Sequence, residues 1–124
     1  MLFRSVQAKN YNLSISSIEK DNPILLHGPI SAAWAEEKFN IQNQDILNSI
    51  KNHTHGWENM SILEKIIYVA DFTEIERNFE EAKLVRKVVG SISRAANSRK
   101  KKEILDKAVV KKADFMLRYA RKNK

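Results

Sequence analysis

The amino-acid sequence predicts an all-α fold, and three observations support this prediction. No segment of the 124 residues alternates polar and apolar side chains with the period of two that a half-buried strand shows. Proline and glycine, which interrupt helices, occur only in residues 23–29 and at Gly56 and Gly90. Elsewhere apolar residues recur at helical spacing. Because a chain of this length supports one modest core, we expect a single domain over residues 1–124.

The first two helices are predicted between residues 30 and 53. Pro29 suits a first helical position, and the apolar spacing after it predicts a helix from about Ile30 to Phe39. Asn43 can cap a second helix that runs to about His53, with His53 on its apolar stripe. Before Asn22 the pattern is weak, so residues 1–9 are expected to form a frayed end, followed by packing at Leu13, Ile15 and Ile18.

The strongest local helix signal is the capping box Ser61-Ile-Leu-Glu64, which opens a helix to about Phe72. This helix is apolar nearly all round, which is typical of the middle of a bundle. Two more helices are predicted at roughly Glu80–Val89 and Glu103–Arg121. The polar stretch Gly90–Lys102 joins them.

The net charge of +7 is unevenly distributed along the chain. Residues 1–77 carry 7 basic and 10 acidic side chains, whereas residues 78–124 carry 15 basic and 5 acidic ones. Basic runs without interleaved aromatic residues or a recognised motif are typical of a solvated helix face. Nucleic-acid binding is therefore the weakest of the functional hypotheses.

Several classes of protein are excluded by composition. The absence of cysteine removes disulfides, thiol nucleophiles and cysteine-based metal sites. No apolar run reaches the ~18 residues that a membrane span needs, and residues 1–6 have no features of a signal peptide. The default expectation is a cytoplasmic protein that does not contact membranes.

Asp71 is the most conspicuous candidate for chemistry because it lies in the most apolar helix. Burying an unpaired carboxylate is costly, so the side chain needs a partner. A salt bridge to lysine or arginine, a contact at the helix end and a bound metal ion each satisfy that need. Glu74 and Arg77 follow at a spacing that also fits a surface ion pair.

The three histidines are each open to a structural and a functional interpretation. His53 is either a hydrogen-bonded core residue or a ligand, and His55 completes an H-x-H pair that chelates metal only when extended. His27 precedes Gly28-Pro29, where it either fills the turn or acts as a neutral ligand near the positive end of a helix. Taken together, imidazoles and one buried carboxylate suit iron, manganese or zinc.

Four strings occur in an order that resembles a known family: Leu-Leu-His-Gly-Pro-Ile-Ser-Ala (25–32), Ile-Lys-Asn-His-Thr-His-Gly (50–56), Met-Ser-Ile-Leu-Glu-Lys-Ile-Ile-Tyr-Val-Ala-Asp (60–71) and Glu-Ile-Glu-Arg (74–77). Together they resemble the C-terminal half of the YqeK-type HD-domain phosphohydrolases, the bacterial symmetrical bis(5'-nucleosyl)-tetraphosphatases. The resemblance covers residues 10–89 well and the basic segment 90–124 loosely.

The resemblance implies an HD-domain-like helical bundle that binds nucleotides and iron or another divalent metal, such as manganese or cobalt. It implies symmetrical cleavage of diadenosine tetraphosphate to two ADP. His27, His53 and Asp71 match the family's metal ligands. Glu74 and Arg77 match a Glu-Pro-x-Arg signature in which Ile75 replaces the proline, and Arg77 suits phosphate contact. His55 stands where the family has threonine or serine, with a role in proton handling or substrate contact left open.

The His-Asp doublet that names the superfamily is absent from the 124 residues, as is any histidine before His27. We therefore expect a chain that lacks the N-terminal helices of the family and binds metal more weakly than the family's complete site does. We also expect apolar surface on the 61–72 helix unless a partner chain, such as a second copy in a homodimer, covers it. The leading hypothesis is a dinucleoside polyphosphate hydrolase. The alternative is a catalytically inactive HD-domain remnant that acts in binding or assembly.

Overall fold

The computed structural model describes residues 23–122 and seven earlier positions, at 8, 10, 11, 13, 14, 17 and 21. Between residues 23 and 122 the chain forms five α-helices, and no strand occurs among the described residues. The predicted all-α class is confirmed. The helices are α1 (His27–Phe39), α2 (Gln44–Lys51), α3 (Ile62–Phe72), α4 (Glu80–Gly90) and α5 (Ser98–Lys122), with 3₁₀ turns at Pro23–Leu26 and Ile92–Arg94.

Helices α1 and α2 differ from prediction at one end each. Helix α1 begins three residues early, at His27, because the 3₁₀ turn before it runs directly into the helix. The predicted cap of α2 is confirmed, since the side chain of Asn43 accepts hydrogen bonds from two backbone amides in the first turn. Helix α2 ends at Lys51, so the prediction that it reaches His53 is wrong. His53 lies in the turn that follows.

Helix α3 has its predicted bounds and position, but part of its apolar surface is exposed. The capping box is present: the Ser61 hydroxyl accepts from the Glu64 amide, and the Glu64 carboxylate accepts from the Ser61 amide. The helix is not enclosed, because Ile62 and Ile66 are each 47% exposed. The expectation of apolar surface on this helix is confirmed. Its predicted position in the middle of the bundle is confirmed, since α2, α4 and α5 all pack against it.

Helix α5 begins five residues earlier than predicted. The side chain of Asn97 accepts a hydrogen bond from the Lys100 amide, which satisfies a donor at the start of the helix. The basic run Arg99–Lys102 is therefore helical and exposed rather than part of a linker. Helix α4 matches its prediction to within one residue.

Two apolar clusters hold the bundle together. In the larger, α3, α4 and α5 contribute buried side chains, among them Tyr68, Phe72, Val85 and Leu105. In the smaller, Leu26 and Ile30 pack with Ala8, and Leu13 contacts them as predicted. The predicted frayed end is wrong at Ala8, which is helical and buried against Leu26 and Ile30. The predictions for Ile15, Ile18 and the other residues of 1–9 lie outside the described residues.

The close approach of α1 to α2 depends on Gly28. A Cβ atom at this position would overlap the carbonyl oxygen of Lys51, the last residue of α2. Glycine therefore lets the start of α1 lie against the end of α2, next to the turn that carries His53.

Among the described helices, none combines the length and the apolar character that crossing a bilayer requires.

Candidate active site

A cavity of about 690 Å³ lies where the start of α1, the turn after α2, the end of α3 and the face of α5 meet. Four of the residues singled out from the sequence line it: His27, His53, Asp71 and Arg77. Three distant segments of the chain thus bring their candidate side chains to one place. Glu74 and His55 are not among the lining residues.

His27 and His53 lie next to each other in the lining of this cavity and are called the histidine pair below. Their Nε2 atoms are 3.0 Å apart, and the rings meet edge to face at an interplanar angle of 75°. Nδ1 of His53 lies 2.6 Å from the carbonyl oxygen of Ile50. Because a carbonyl only accepts, this nitrogen carries the hydrogen, and Nε2 of His53 uses its lone pair to accept a hydrogen bond from Nε2–H of His27.

Asp71 is half-buried at the end of α3 and pairs with two cations. Its Oδ1 lies 3.6 Å from Nη2 of Arg77, and its Oδ2 lies 3.8 Å from Nζ of Lys112. The salt bridge considered from the sequence is therefore present. Both distances are long for charge-assisted hydrogen bonds, so the carboxylate keeps acceptor capacity toward the cavity.

Lys112 is the functional candidate that the sequence argument missed. It is 1% exposed, and its Nζ donates hydrogen bonds to the carbonyl oxygens of Tyr68 (2.7 Å) and His53 (3.1 Å). The ammonium also lies 3.8 Å from the centroid of the Tyr68 ring. Burial lowers the pKa of Lys112 to about 8, with Asp71 raising it and Arg77 lowering it.

A signal for Lys112 was present in the sequence. It follows Leu105 and Ala108 at helical spacing, and these three are the buried residues of α5. A lysine on the apolar stripe of an otherwise solvated basic helix indicates a buried cation. By composition alone, the doublet Lys111-Lys112 belongs to the exposed basic charge predicted for residues 78–124.

The segment between α3 and α4 holds Arg77 at the cavity. Arg86 of α4 donates hydrogen bonds to the carbonyl oxygens of Thr73, Glu74 and Arg77, which fixes the backbone of this turn. The Glu74 carboxylate accepts from the amide of Glu76. The surface ion pair considered for Glu74 and Arg77 is thus replaced by the Arg77–Asp71 pair.

His55 occupies an exposed position in the turn after α2, two residues from His53. The turn is not extended, so the H-x-H spacing does not bring both imidazoles to the cavity.

The donor set of the cavity suits a divalent ion in part. Two imidazole nitrogens bound to one ion at 2.0–2.1 Å and at a right angle to each other stand roughly 3 Å apart. The histidine pair has this spacing, and the hydrogen bond at Nδ1 of His53 is the kind that orients a metal-binding imidazole. Within the described residues no group of three or more histidine, aspartate or glutamate side chains is close enough to hold an ion as it stands. Asp71 lines the same cavity and would need to turn from its cations to become a third ligand.

Comparisons with known proteins agree with the sequence resemblance. No family model matches the chain. The symmetrical bis(5'-nucleosyl)-tetraphosphatase of Bacillus subtilis is 43% identical over 67 residues, which are 54% of this chain and 36% of that protein. The protein of the same name from Halalkalibacterium halodurans is 45% identical over 62 residues, 50% of this chain and 33% of that protein. The predicted resemblance is confirmed.

A crystal structure from Clostridium acetobutylicum matches 94% of this chain and 67% of that chain, with a TM-score of 0.64 and 27% sequence identity. That protein is described as a predicted HD superfamily hydrolase involved in NAD metabolism. The chain has an HD-domain-like fold. The matched segments span about a third of the length of the two curated relatives.

Proposed function

We propose that the chain acts in the cytoplasm as a metal-dependent hydrolase of dinucleoside polyphosphates that cleaves diadenosine tetraphosphate symmetrically to two ADP. The histidine pair carries this proposal: two imidazole Nε2 atoms lie 3.0 Å apart in one cavity with Asp71 and Arg77. The names of the curated relatives support the substrate class, and the HD-domain-like fold supports hydrolysis as the reaction class.

His27, His53 and Asp71 are the residues proposed to hold iron or another divalent ion, such as manganese or cobalt. Imidazole nitrogen and carboxylate oxygen form a donor set that these metals accept. A divalent ion bound there supplies positive charge to phosphate oxygens and acidifies water. The backbone hydrogen bond from Nδ1 of His53 places the lone pair on Nε2, where a metal ion would replace the hydrogen bond from His27.

Arg77 and Lys112 provide the positive charge that the chain itself offers to a polyphosphate. The guanidinium of Arg77 is partly exposed and can bind two phosphate oxygens at once, in competition with Asp71. The ammonium of Lys112 is fixed by two carbonyl oxygens and contributes a charge that does not need to be ordered when the substrate binds. Both cations line the cavity that contains the histidine pair.

Turnover of diadenosine tetraphosphate with added Fe²⁺, Mn²⁺ or Co²⁺ tests the proposal. We expect ADP as the nucleotide product, and its release should stop when EDTA removes the metal. His53→Ala should lower the rate by about 100-fold, since even the loss of an outer-shell partner of a metal ligand costs 10–100-fold.

The matched control is His55→Ala, which removes an imidazole two residues away that does not line the cavity. We expect this variant to keep wild-type turnover, and a loss equal to that of His53→Ala would instead assign His55 to the site. ADP release no greater than in a metal-free blank, or ATP and AMP as products, would contradict the proposed function.

A second candidate function is a catalytically inactive HD-domain remnant that acts in binding or assembly. The apolar face of α3 favours it, because Ile62 and Ile66 are half exposed and suit a protein partner, including a second copy in a homodimer. Elemental analysis of the purified protein separates the candidates. One bound divalent ion per chain supports the hydrolase, and a metal-free protein that forms a stable assembly supports the remnant.

A further inference from the structure

Four aromatic rings form a continuous wall on one side of the cavity, made of Phe72, Phe79, Phe115 and Tyr119 and called the aromatic wall below. Phe79 stacks on Phe115 with ring centroids 5.8 Å apart, and Phe72 contacts both of them at 5.4 and 5.5 Å. Tyr119 extends the wall, 6.1 Å from Phe115. All four rings line the cavity that contains the histidine pair.

The wall runs from the charged end of the cavity toward solvent. Lys112, Phe115 and Tyr119 follow one face of α5, and their exposure rises from 1% at Lys112 to 57% at Tyr119. Seven residues of helix correspond to roughly 10 Å along the axis. The ribose and phosphates of an extended nucleotide can bridge such a distance. The cavity thus has the ammonium of Lys112, paired with Asp71, at its buried end and partly exposed aromatic rings at its outer end, with the carboxylate of Glu81 also in its lining.

Core packing alone does not account for the outer rings of the wall. Phe72 is buried in the larger apolar cluster, but Phe79 is 38% exposed and Tyr119 more so. Partly exposed aromatic rings beside cations that can bind phosphate are an arrangement with which proteins stack nucleobases. The volume of about 690 Å³ also lies in the range of small-molecule sites.

We infer that the aromatic wall is a stacking site for one nucleobase of the substrate, with Tyr119 and Phe79 as the rings that contact the base. The inference rests on the proposed function, and it adds the residues that bind the base and the direction in which the nucleotide lies. The phosphates occupy the end of the cavity at Arg77 and Lys112, and the base lies at the outer end of α5.

Binding of ADP and of inorganic pyrophosphate to the wild-type chain and to Tyr119→Ala tests the inference. Calorimetric titration should show a Kd for ADP about tenfold higher in the variant, because loss of one base–aromatic contact weakens stacking. The Kd for pyrophosphate, which has no base, should be unchanged. Saturation-transfer NMR should show contact between aromatic side chains and the adenine H2 and H8 protons in the wild type.

Two variants serve as controls. Tyr119→Phe keeps the ring and should bind ADP like the wild type. Leu117→Ala removes an exposed apolar side chain of the same helix, and because Leu117 does not line the cavity this control should also bind ADP like the wild type. Equal ADP affinity in the wild type and Tyr119→Ala would overturn the stacking site while leaving the proposed function intact. Failure of the wild type to bind either ligand and to release ADP would overturn both.

Discussion

At the scale of single residues, Lys112 has the most unusual environment among the described side chains. Its ammonium is removed from water but donates hydrogen bonds to two carbonyl oxygens, and it lies near a carboxylate and the face of a tyrosine ring. Two of these partners belong to the candidate site: the backbone of His53 and the side chain of Asp71. The charge state of Lys112 therefore responds to changes in the site.

We predict that Lys112 titrates at a pH of about 8, well below the usual lysine pKa of 10.5. Burial is the main cause, and the two charged neighbours act with opposite signs. Asp71→Asn removes the carboxylate that raises the pKa and should lower it further, whereas Arg77→Gln removes a repelling cation and should raise it. NMR of selectively labelled lysine Cε and Nζ measures all three values. Shifts of the same sign in both variants would contradict this assignment of causes.

The same titration affects stability. The pKa of Lys112 is lower in the folded than in the unfolded chain, so between about pH 8 and 10.5 the unfolded state binds more protons. The contribution of Lys112 to the free energy of unfolding therefore increases across this range and is lowest below pH 8. Between pH 7.5 and 9.5 the free energy of unfolding of the wild type should therefore rise relative to that of Lys112→Met, and urea unfolding at the two pH values measures this difference.

At the scale of elements, the relative positions of α1, α2 and α3 determine where the histidine pair lies. Gly28 allows α1 to contact the end of α2. The turn after α2 is fixed by Glu64 of α3, whose buried carboxylate accepts hydrogen bonds from the side chains of Asn52 and Trp57. The Ser61 hydroxyl also donates to Asp45 of α2. His53 thus projects from a turn held on both sides.

We expect Gly28→Ala to destabilise the protein by about 2 kcal/mol or more, because the added methyl group overlaps backbone that cannot move aside as a side chain would. Gly90→Ala is the matched control. A Cβ at Gly90 meets nothing within 4 Å, so this variant should be neutral or more stable by up to about 1 kcal/mol. Urea unfolding measures both changes. Equal effects would show that the α1–α2 contact is looser than described.

The features that the sequence predicts well are those encoded within one helical turn. The caps at Asn43 and Ser61 depend on residues two and three positions away, and both are confirmed. The place of Lys112 depends on contacts across 44 and 59 residues, and the turn that ends α2 is held by Glu64, 12 residues from Asn52, which local spacing does not contain. The exposed side of α3 was anticipated only from the resemblance, since its pattern alone predicts burial all round.

At the scale of the whole molecule, apolar surface is unevenly covered. The buried side chains of α3 face α4 and α5 in the larger cluster. On the opposite side of the same helix, Ile62 and Ile66 stand one turn apart and are half exposed. The buried apolar side chains of α3 therefore stabilise the larger cluster, whereas Ile62 and Ile66 contribute little burial to the described bundle.

This asymmetry predicts different responses to substitution on the two faces of α3. Ile66→Lys should change the free energy of unfolding by less than about 0.5 kcal/mol, because its side chain remains largely in water. Val69→Ala, which removes atoms from a fully buried side chain, should cost about 1–3 kcal/mol. Thermal or urea unfolding at low protein concentration distinguishes them. A large loss for Ile66→Lys would indicate that this face is covered in solution.

The two hydrogen bonds from Lys112 also influence when the candidate site can form during synthesis of the chain. Their acceptors precede the lysine by 44 and 59 residues, so the turn at His53 gains its ammonium partner only after α5 has left the ribosome and docked. Such late, long-range contacts slow folding relative to the local helices. A nascent chain that ends before residue 112 would present the histidine pair without this anchor, so the candidate site is complete only once α5 is in place.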